Sequence, residues 1–410
     1  MPSLTPARHR CAAKAYAIAE VAGLTTAALC TELAPNTEKL QIGYLSYDFF
    51  EHATMRLLAG VFERRDTNAF DIVLFSYGPC KEDDFTKRIA ETGLPVIDIA
   101  ALSDQAVAAL IHDNKIDVLV DLKGYTTGSR LGITARRPAP IIVSWLGYPG
   151  SLGHGRLADY IIGDDIVTPA ARADDFSERL ALMPHTYQPN DDKRVIPSVP
   201  PGRQTVGLPE KGMVFCSFNQ MMKLNPGMFD VWCRLLADTR DSVLWLLDPE
   251  SDTAKSNLLR VAGRHGVAER LIFAPQASQV EHLTRLQLAD IALDTYPCNS
   301  HTTASDALWA GVPLVTVMGD TFAGCVAASL LSAHGLGELV STDINGYFEK
   351  IIGIAHDPDW LRRLKRQLID RRASSPLFDT TRFTRDLEQL YRAIVSNERA
   401  GRPTRVVRSG

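Results

Sequence analysis

The amino-acid sequence predicts an α/β protein with two doubly wound parallel sheets, each covered by helices. Short apolar runs rich in β-branched residues alternate with segments of helical periodicity along most of the chain, a pattern typical of parallel sheets. A proline-rich break within residues 188–209 divides this alternation into two series. The chain has 410 residues, more than a single ordinary hydrophobic core holds. Two domains are therefore expected.

The first series begins at Leu40 and alternates apolar runs with helical segments. Its predicted strands are Leu40–Leu45, Asp71–Ser76, Pro95–Ile99, Val118–Leu122, Ile141–Leu146, Tyr160–Ile162 and Leu180–Met183. Its predicted helices cover 53–65, 83–92, 104–113 and 130–136. Before it, residues 8–33 are Ala-rich with helical spacing, which predicts one or two helices that pack on the body or are the remnant of a longer helical array.

The second series repeats the same alternation after the break. Its predicted strands are Val214–Phe218, Val243–Leu247, Leu271–Ala274, Ile291–Leu293 and Leu314–Val317. Helices are predicted over 226–239, 252–265, 279–287, 302–310, 323–335, 344–356, 358–372 and 380–397. The predicted organisation is a helical segment (1–38), an N-terminal domain (39–200), a C-terminal domain (201–380), and a final helix with a tail (381–410). Ligands of such sheets bind at the carboxyl ends of the strands, so a cleft between the two halves is expected.

Composition excludes several classes of function. The net charge is −4 and the isoelectric point is near 6.2, so bulk electrostatics favour neither nucleic acid nor an anionic membrane. The seven cysteines show neither CxxC pairs nor zinc spacing, which indicates reduced thiols. The sequence has no run of about 18 apolar residues and no signal-peptide pattern. A soluble cytoplasmic protein is expected.

Residues 299–311, which follow a short apolar strand, carry the most informative pattern. A polar cluster at a helix start leaves backbone N–H groups without intrahelical acceptors, and the helix dipole adds partial positive charge. His301, Thr302 and Thr303 lie where a phosphate would dock, and Asp306 follows about one turn later, where it could accept hydrogen bonds from a ribose. An ordinary capped core helix remains the alternative interpretation.

Four further residues in or just after loops that follow strands are candidates, each with a purely structural alternative. His52 heads the first helix of the alternating series and could accept a proton, or it could simply cap that helix. Lys223 could neutralise a diphosphate leaving group, or it could be a solvated surface lysine. His282 and Arg285 share a helix face, where they could frame a base or coat a polar surface.

Several well-known signatures do not occur in the sequence. There is no GxxxxGK[ST] loop, no GxGxxG opening a βαβ unit, no HExxH and no GxSxG. No DxD pair follows a strand, so a carboxylate-bound divalent metal is not suggested, and no cofactor is expected. Phosphate charge would then be met by helix ends and by Lys223.

Taken together, the loops resemble the catalytic region of the protein O-linked N-acetylglucosamine transferases, family 41 of the glycosyltransferases. The similarity runs in order over roughly residues 40–395. The matching segments include Ile42–Phe49 with His52, Gly124–Thr126, Arg137–Ile141, Trp145–Gly150, Asp159–Ile162, Met183–Thr186, Phe218–Gln220 with Lys223, Ser242–Leu247, Gln287–Asp290, Leu293–Thr295, Cys298–Asn299, His301–Thr303, Asp306–Gly311 and Ser374–Phe378.

This resemblance implies a GT-B fold and an inverting, metal-independent transfer from UDP-N-acetylglucosamine to Ser or Thr hydroxyls of a protein or peptide acceptor. It implies that Asp306 holds the ribose and that Thr302 and Thr303 bind the diphosphate. His52 would lie near the acceptor as a base or orienting group. The other implied donor contacts are phosphate contacts from Gln220 and Lys223, a uracil frame of Ala277, His282 and Arg285, and the sugar-bordering residues Gly150 and His185. His301 is a candidate for the phosphate site from its place at the helix start.

The sequence also departs from the family pattern. Many tetratricopeptide repeats usually precede the catalytic region, whereas at most about one helical pair precedes Leu40, so further repeats are expected outside this chain or the protein is a short form. The long insert of animal members is absent, as in bacterial members. Cys325 stands at an expected arginine, and Gln279 at a lysine of animal members. Another donor (UDP-glucose to Asn, or GDP-fucose to Ser/Thr) and a catalytically silent sugar-nucleotide-binding module remain alternatives.

Overall fold

A computed structural model describes residues 5–22, 28–30, 32–33, 39–197, 199–401 and 403–409 of the protein. The chain forms two compact units. The C-terminal unit is Lys193–Ser375, and the N-terminal unit consists of the described residues before it together with those from Pro376 onward. The chain enters the C-terminal unit at Lys193 and leaves it after Ser375, a few residues before the predicted boundaries at 200 and 380. The last helix and the tail therefore belong to the N-terminal unit.

The N-terminal unit begins with alternating strands and helices. Its strands are β1 (Leu40–Ser46), β2 (Phe70–Ser76), β3 (Val96–Asp98), β4 (Val118–Asp121), β5 (Ile141–Ser144), β6 (Tyr160–Asp164) and β7 (Arg179–Met183). Its helices are α1 (Pro6–Val21), α2 (Ala53–Glu63), α3 (Asp84–Glu91), α4 (Asp104–Asp113) and α5 (Leu131–Thr134), with a 3₁₀ turn at Ala170–Asp175.

The C-terminal unit repeats the arrangement. Its strands are β8 (Val214–Ser217), β9 (Val243–Leu247), β10 (Leu271–Ala274), β11 (Ile291–Leu293), β12 (Leu314–Val317) and β13 (Val340–Ser341). Its helices are α6 (Pro226–Asp238), α7 (Asp252–Arg264), α8 (Gln279–Leu286), α9 (Thr302–Trp309), α10 (Phe322–His334), α11 (Ile344–His356) and α12 (Pro358–Arg371). Short 3₁₀ turns lie at Arg203–Val206, Met221–Lys223, Ala268–Arg270 and Gly337–Leu339.

The chain then returns to the N-terminal unit with α13 (Thr380–Arg399) and β14 (Val406–Arg408). The N-terminal sheet has the order β14-β7-β6-β5-β4-β1-β2-β3, and the C-terminal sheet has the order β10-β9-β8-β11-β12-β13. All described strand pairs are parallel. The predicted α/β class with two doubly wound parallel sheets is therefore confirmed.

Continuous apolar runs explain why the central strands form. Every residue of β4, β5, β6 and β8 is buried, as expected for strands covered by helices on both faces. The large core side chains include Tyr44, Trp145 and Tyr160 in one unit and Trp232 and Trp245 in the other. Both order reversals, between β1 and β4 and between β8 and β11, bring loops together at the carboxyl ends of the strands.

Two parts of the chain differ in detail from the sequence-based expectation. The tail contains an edge strand, β14, whose Val406–Arg408 pairs with Leu180–Leu182 of β7. The Ala-rich segment 8–33 contains a single described helix, α1, and the backbone N–H groups of Leu29 and Cys30 donate to the carbonyls of Arg136 and Arg137. Residues 23–27 and 31 of that segment lie outside the described residues. Within the part of the chain that the structure describes, no helix is long and apolar enough to cross a membrane.

Candidate functional site

A buried carboxylate organises the loop between β11 and α9. Asp294 Oδ1 accepts hydrogen bonds from the backbone N–H groups of Thr295 (2.8 Å) and Ser300 (2.6 Å). Its Oδ2 accepts the hydroxyl of Thr316 on neighbouring β12 at 2.6 Å. Because one side chain holds both ends of the loop, the position of the α9 start is tied to the strand that precedes it.

The first turn of α9 is open to an anion. His301 is the N-cap residue, and its side chain makes no capping hydrogen bond. Its carbonyl accepts from Ala304 (3.0 Å) and Ser305 (3.2 Å), which leaves the N–H groups of Thr302 and Thr303 among those that helix geometry does not satisfy. Both threonine side chains are half-buried. The first turn therefore has the open N–H groups that an anion site requires, and the binding of a phosphate there stays a prediction.

The loop after β8 is attached to the same helix start. Thr303 Oγ1 donates to Asn219 Oδ1 (2.8 Å), and Asn219 Nδ2 donates to Ser300 Oγ (2.6 Å). Lys223 Nζ donates to the carbonyl oxygen of Asn299 at 2.7 Å. A lysine ammonium has three N–H groups, so this bond fixes its position beside the helix start with donors remaining. The structure thus brings Lys223 next to His301–Thr303, as the sequence predicts.

His301 contributes no positive charge at neutral pH. Burial lowers the pKa of His301 to about 3, and the Lys223 ammonium acts in the same direction. Nε2 lies 3.5 Å from the carbonyl oxygen of Ala323, so the neutral ring holds its proton there. The positive potential at the helix start therefore comes from Lys223 and the backbone.

An aromatic and basic cluster lies on α8 and the end of β8. The His282 ring meets Phe218 edge-on, with ring centroids 5.0 Å apart. The Arg285 guanidinium lies 4.9 Å over the Phe218 ring, and its Nη1 donates to the carbonyl of Pro275 at 2.7 Å. His282 and Arg285 are thus brought together. Ala277 is half-buried in the loop before α8, and Gln220, in the loop that leads to Lys223, is exposed. Sequence reasoning quoted Phe218 within a motif but gave it no role.

Asp306 lies deep in the C-terminal unit and is paired. Arg194 Nη1 donates to Asp306 Oδ1 at 3.1 Å, and the side chains are only 2% and 4% exposed. The Arg194 guanidinium also lies 4.8 Å from the centroid of the Trp309 ring. Arg194 was missed because it stands in the proline-rich segment, and no local pattern connects it with a helix more than a hundred residues away.

His52 occupies the N-cap of α2 in the N-terminal unit. Its Nδ1 accepts the backbone N–H of Thr54 at 3.2 Å and lies 3.5 Å from Asp48 Oδ2. Asp48 itself is paired with Lys123 at 2.8 Å, with both side chains buried. Burial lowers the pKa of His52, Asp48 opposes this effect and Lys123 reinforces it. His52 therefore caps α2, as one of the two interpretations of the sequence has it, and its role as a proton acceptor stays a prediction.

Gly150 and His185 also belong to the N-terminal unit, in loops after β5 and β7. A Cβ at Gly150 would lie 2.4 Å from Cε1 of His9, so in this structure the missing side chain makes room for α1. His9 Nε2 lies 3.0 Å from the Tyr148 hydroxyl in the same loop. Burial lowers the pKa of His185, reinforced by Arg382 of α13. Their sugar-bordering roles stay predictions.

The central carboxylate of the loop gives a pH-dependent test of the site. Burial raises the pKa of Asp294 from 3.8 to about 6, although hydrogen bonds from Ser300 and Thr316 lower it. The folded state therefore binds this proton more tightly, so the stabilisation is fully present below the unfolded pKa and is lost as the pH rises through about 6. We expect the unfolding free energy of wild type minus that of Asp294→Asn to fall as pH rises from about 4 to about 7. Urea unfolding at several pH values measures it, and a difference that stays constant or rises would contradict the assignment.

The fold and the two loop clusters define a two-unit α/β protein whose C-terminal unit carries a helix start with open backbone N–H groups beside a lysine. The sequence profile of glycosyl transferase family 41 matches residues 9–201 and 198–387. The chain therefore belongs to glycosyl transferase family 41.

Individual relatives agree with this membership. A protein of Arabidopsis thaliana named probable UDP-N-acetylglucosamine–peptide N-acetylglucosaminyltransferase SEC is 36% identical over 361 residues, which are 86% of this chain and 37% of that protein. A Caenorhabditis elegans UDP-N-acetylglucosamine–peptide N-acetylglucosaminyltransferase is 27% identical over 90% of this chain and 42% of its own length. The chain thus spans less than half the length of these relatives.

Solved structures support the same fold. A mutant of the Thermobaculum terrenum O-GlcNAc transferase superposes with a TM-score of 0.88 at 30% identity and covers 96% of this chain and 74% of its own. Anabaena HepE in complex with UDP-glucose superposes with a TM-score of 0.60 at 15% identity, over 87% of this chain and all of its own. Each sheet of the present chain is of the Rossmann-like kind expected for a GT-B protein.

Proposed function

We propose that this chain transfers N-acetylglucosamine from UDP-N-acetylglucosamine to Ser or Thr hydroxyls of proteins. The observation that carries the proposal is the start of α9, where open backbone N–H groups, Lys223 and the Asn219 network converge at the carboxyl ends of β8 and β11. Membership of family 41 and the names of the relatives support the choice of donor and acceptor.

The C-terminal unit would hold the nucleotide. The diphosphate would accept hydrogen bonds from the N–H groups of Thr302 and Thr303 and from the Thr302 hydroxyl, with Lys223 and Gln220 at its oxygens. The Thr303 hydroxyl already donates to Asn219 Oδ1 and would hold the loop in place. His282 and Arg285 offer a ring face and a guanidinium to the uracil. Asp306 would accept hydrogen bonds from the ribose.

The reaction would be a single displacement that inverts the anomeric carbon. The acceptor oxygen forms a bond to that carbon while the bond to the β-phosphate oxygen breaks, and UDP leaves with both electrons of that bond. The proton of the acceptor hydroxyl passes to a phosphate oxygen of the departing UDP or to water. Negative charge grows on the β-phosphate, where the α9 start and Lys223 are already oriented and need little rearrangement. We propose that the charge is met in this way without a divalent metal or other cofactor.

His52 would act on the acceptor side, in the N-terminal unit. With Nδ1 accepting from the Thr54 N–H, the neutral ring carries its proton on Nε2. Its lowered pKa keeps the ring neutral at pH 7. In this state Nε2–H donates to the acceptor oxygen and orients it, and service as a base requires the ring to change tautomer.

We further propose a cytoplasmic location and a protein acceptor recognised with the help of tetratricopeptide repeats outside this chain. Recognition of nucleic acid or of a membrane surface is not part of the proposal, because the net charge of −4 offers no bulk attraction to either.

A donor screen tests the proposal. The chain is incubated with a Ser/Thr-rich peptide library and UDP-N-acetylglucosamine, UDP-glucose or GDP-fucose in separate reactions with EDTA, and products are read by mass spectrometry. We expect an N-acetylhexosamine mass on Ser or Thr with the first donor, and a loss of that signal in Lys223→Ala. Transfer from only another donor would reassign the substrate. Neither transfer nor donor hydrolysis would favour a silent binding module.

A further inference from the structure

The segment that enters the C-terminal unit places an arginine against the acid assigned to the ribose. Arg194 comes only one residue after the unit begins, and its guanidinium reaches both Asp306 and Trp309 of α9. Asp306 and Trp309 are three residues apart, so they lie on neighbouring positions of one helix face. A single side chain from outside the sheet therefore fixes two positions of α9.

Burial makes polar partners necessary for the charge of Asp306, and Arg194 is the cationic one among those described. The Asp306 side chain is 4% exposed and that of Arg194 is 2% exposed. An ionised carboxylate removed from water loses its solvation and remains ionised only when a cation or hydrogen-bond donors replace it. The Arg194 guanidinium is such a cation, and its Nη1 donates a hydrogen bond of 3.1 Å to Asp306 Oδ1.

The indole of Trp309 fixes the guanidinium in turn. Arg194 lies 4.8 Å and Arg372 lies 5.0 Å from the centroid of this ring. A planar guanidinium over an aromatic face is favoured both by the ring quadrupole and by packing. The contact with the Trp309 ring thus orients the Arg194 guanidinium, and the oriented guanidinium in turn holds the Asp306 carboxylate through its hydrogen bond.

We infer that Arg194 is a positioning residue that makes Asp306 a strong acceptor for ribose hydroxyls, and thereby determines discrimination between ribose and deoxyribose nucleotides. The inference rests on the proposed function, which places a nucleotide on α9. Hydrogen bonds to an ionised acceptor are roughly twice as strong as those to a neutral one. Arg194 therefore acts on the sugar through Asp306 rather than by touching it.

The test compares two nucleotides in four proteins. Isothermal titration calorimetry gives the Kd of UDP and of 2′,3′-dideoxyuridine diphosphate for wild type, Arg194→Met, Arg194→Gln and the control Arg372→Met. The control removes a guanidinium from the same indole and leaves the Arg194–Asp306 pair in place. We expect wild type and the control to bind UDP at least about tenfold more tightly than the dideoxy nucleotide. In Arg194→Met this ratio falls below about threefold.

The outcomes separate the inference from the proposed function. A ratio that stays at the wild-type value in Arg194→Met, or a wild type that binds both nucleotides equally, overturns the inference while UDP binding stands. A wild type that binds neither nucleotide overturns the proposed function and the inference with it. If Arg194→Met does not fold, Arg194→Gln decides: a ratio at least about threefold below wild type supports the inference, and an unchanged ratio overturns it.

Discussion

Replacement of Lys223 by alanine is expected to lower kcat by about 10²–10³-fold, or roughly 3–4 kcal/mol of transition-state stabilisation. The ammonium is fixed beside the α9 start by its 2.7 Å bond to the Asn299 carbonyl. Charge on the leaving β-phosphate develops mainly in the transition state, so loss of this cation affects turnover more than binding. Steady-state kinetics with a peptide acceptor, following UDP release, measure the effect.

Two further variants serve as comparisons for the effect of Lys223→Ala on kcat. His282→Ala removes a ring from the proposed base pocket and is expected to raise KM with kcat changed only a few-fold, because the base does not react. Lys255→Ala removes a lysine that pairs with Asp248 and lies over the Phe273 ring, and that is given no role in the proposed reaction, so both constants are expected to stay unchanged. Equal losses of kcat in Lys223→Ala and His282→Ala, or no loss in the former, would contradict the role of Lys223.

Replacement of Lys123 by methionine is expected to destabilise the N-terminal unit by about 3–5 kcal/mol. Lys123 and Asp48 form an ion pair of 2.8 Å whose side chains are 5% and 4% exposed. Removal of the lysine leaves a buried carboxylate without its cation, and this costs more than the pair itself contributes. Urea unfolding at pH 7 measures the change, and the double variant Asp48→Asn/Lys123→Met is expected to lose less than the single one.

The same variant has a second readout at His52. Lys123 is one of the charges that lower the pKa of His52, so its removal raises that pKa, which NMR titration of the ring measures. Lys39→Met is the control, because the side chains of its 3.4 Å pair with Asp71 are 41% and 48% exposed, and loss of this pair is expected to cost under about 1 kcal/mol. Equal destabilisation by the two substitutions, or a His52 pKa that falls in Lys123→Met, would contradict this account.

Much of the fold follows from local patterns. The apolar runs of β4 and β5 and the helical periodicity of α6 are long and regular enough to be located from the sequence, and the structure places them within one or two residues. The edge strand β14 was not predicted, because a three-residue strand owes its pairing to β7 and carries little signal of its own. Helix α5 spans only one turn, Leu131–Thr134, and is shorter than the predicted 130–136.

The site is predictable where its chemistry is contained in one loop. The polar helix start at Thr302 and the lysine after β8 could be recognised because their partners lie in adjacent loops of the same sheet. Arg194 could not, since its contact with Asp306 joins distant parts of the chain. Gly150 is a second such case, because the atom that a Cβ at this position would meet first belongs to His9 of α1, and no loop motif reveals that contact.

The central claim is that a nucleotide diphosphate binds at the first turn of α9, held by backbone N–H groups and Lys223. A crystal structure of the chain with UDP, grown in EDTA, tests it most directly. We expect the β-phosphate within hydrogen-bond distance of the N–H groups of Thr302 and Thr303 and of Lys223 Nζ. UDP bound in full occupancy elsewhere, or bound at α9 only when a divalent cation is supplied, would contradict it.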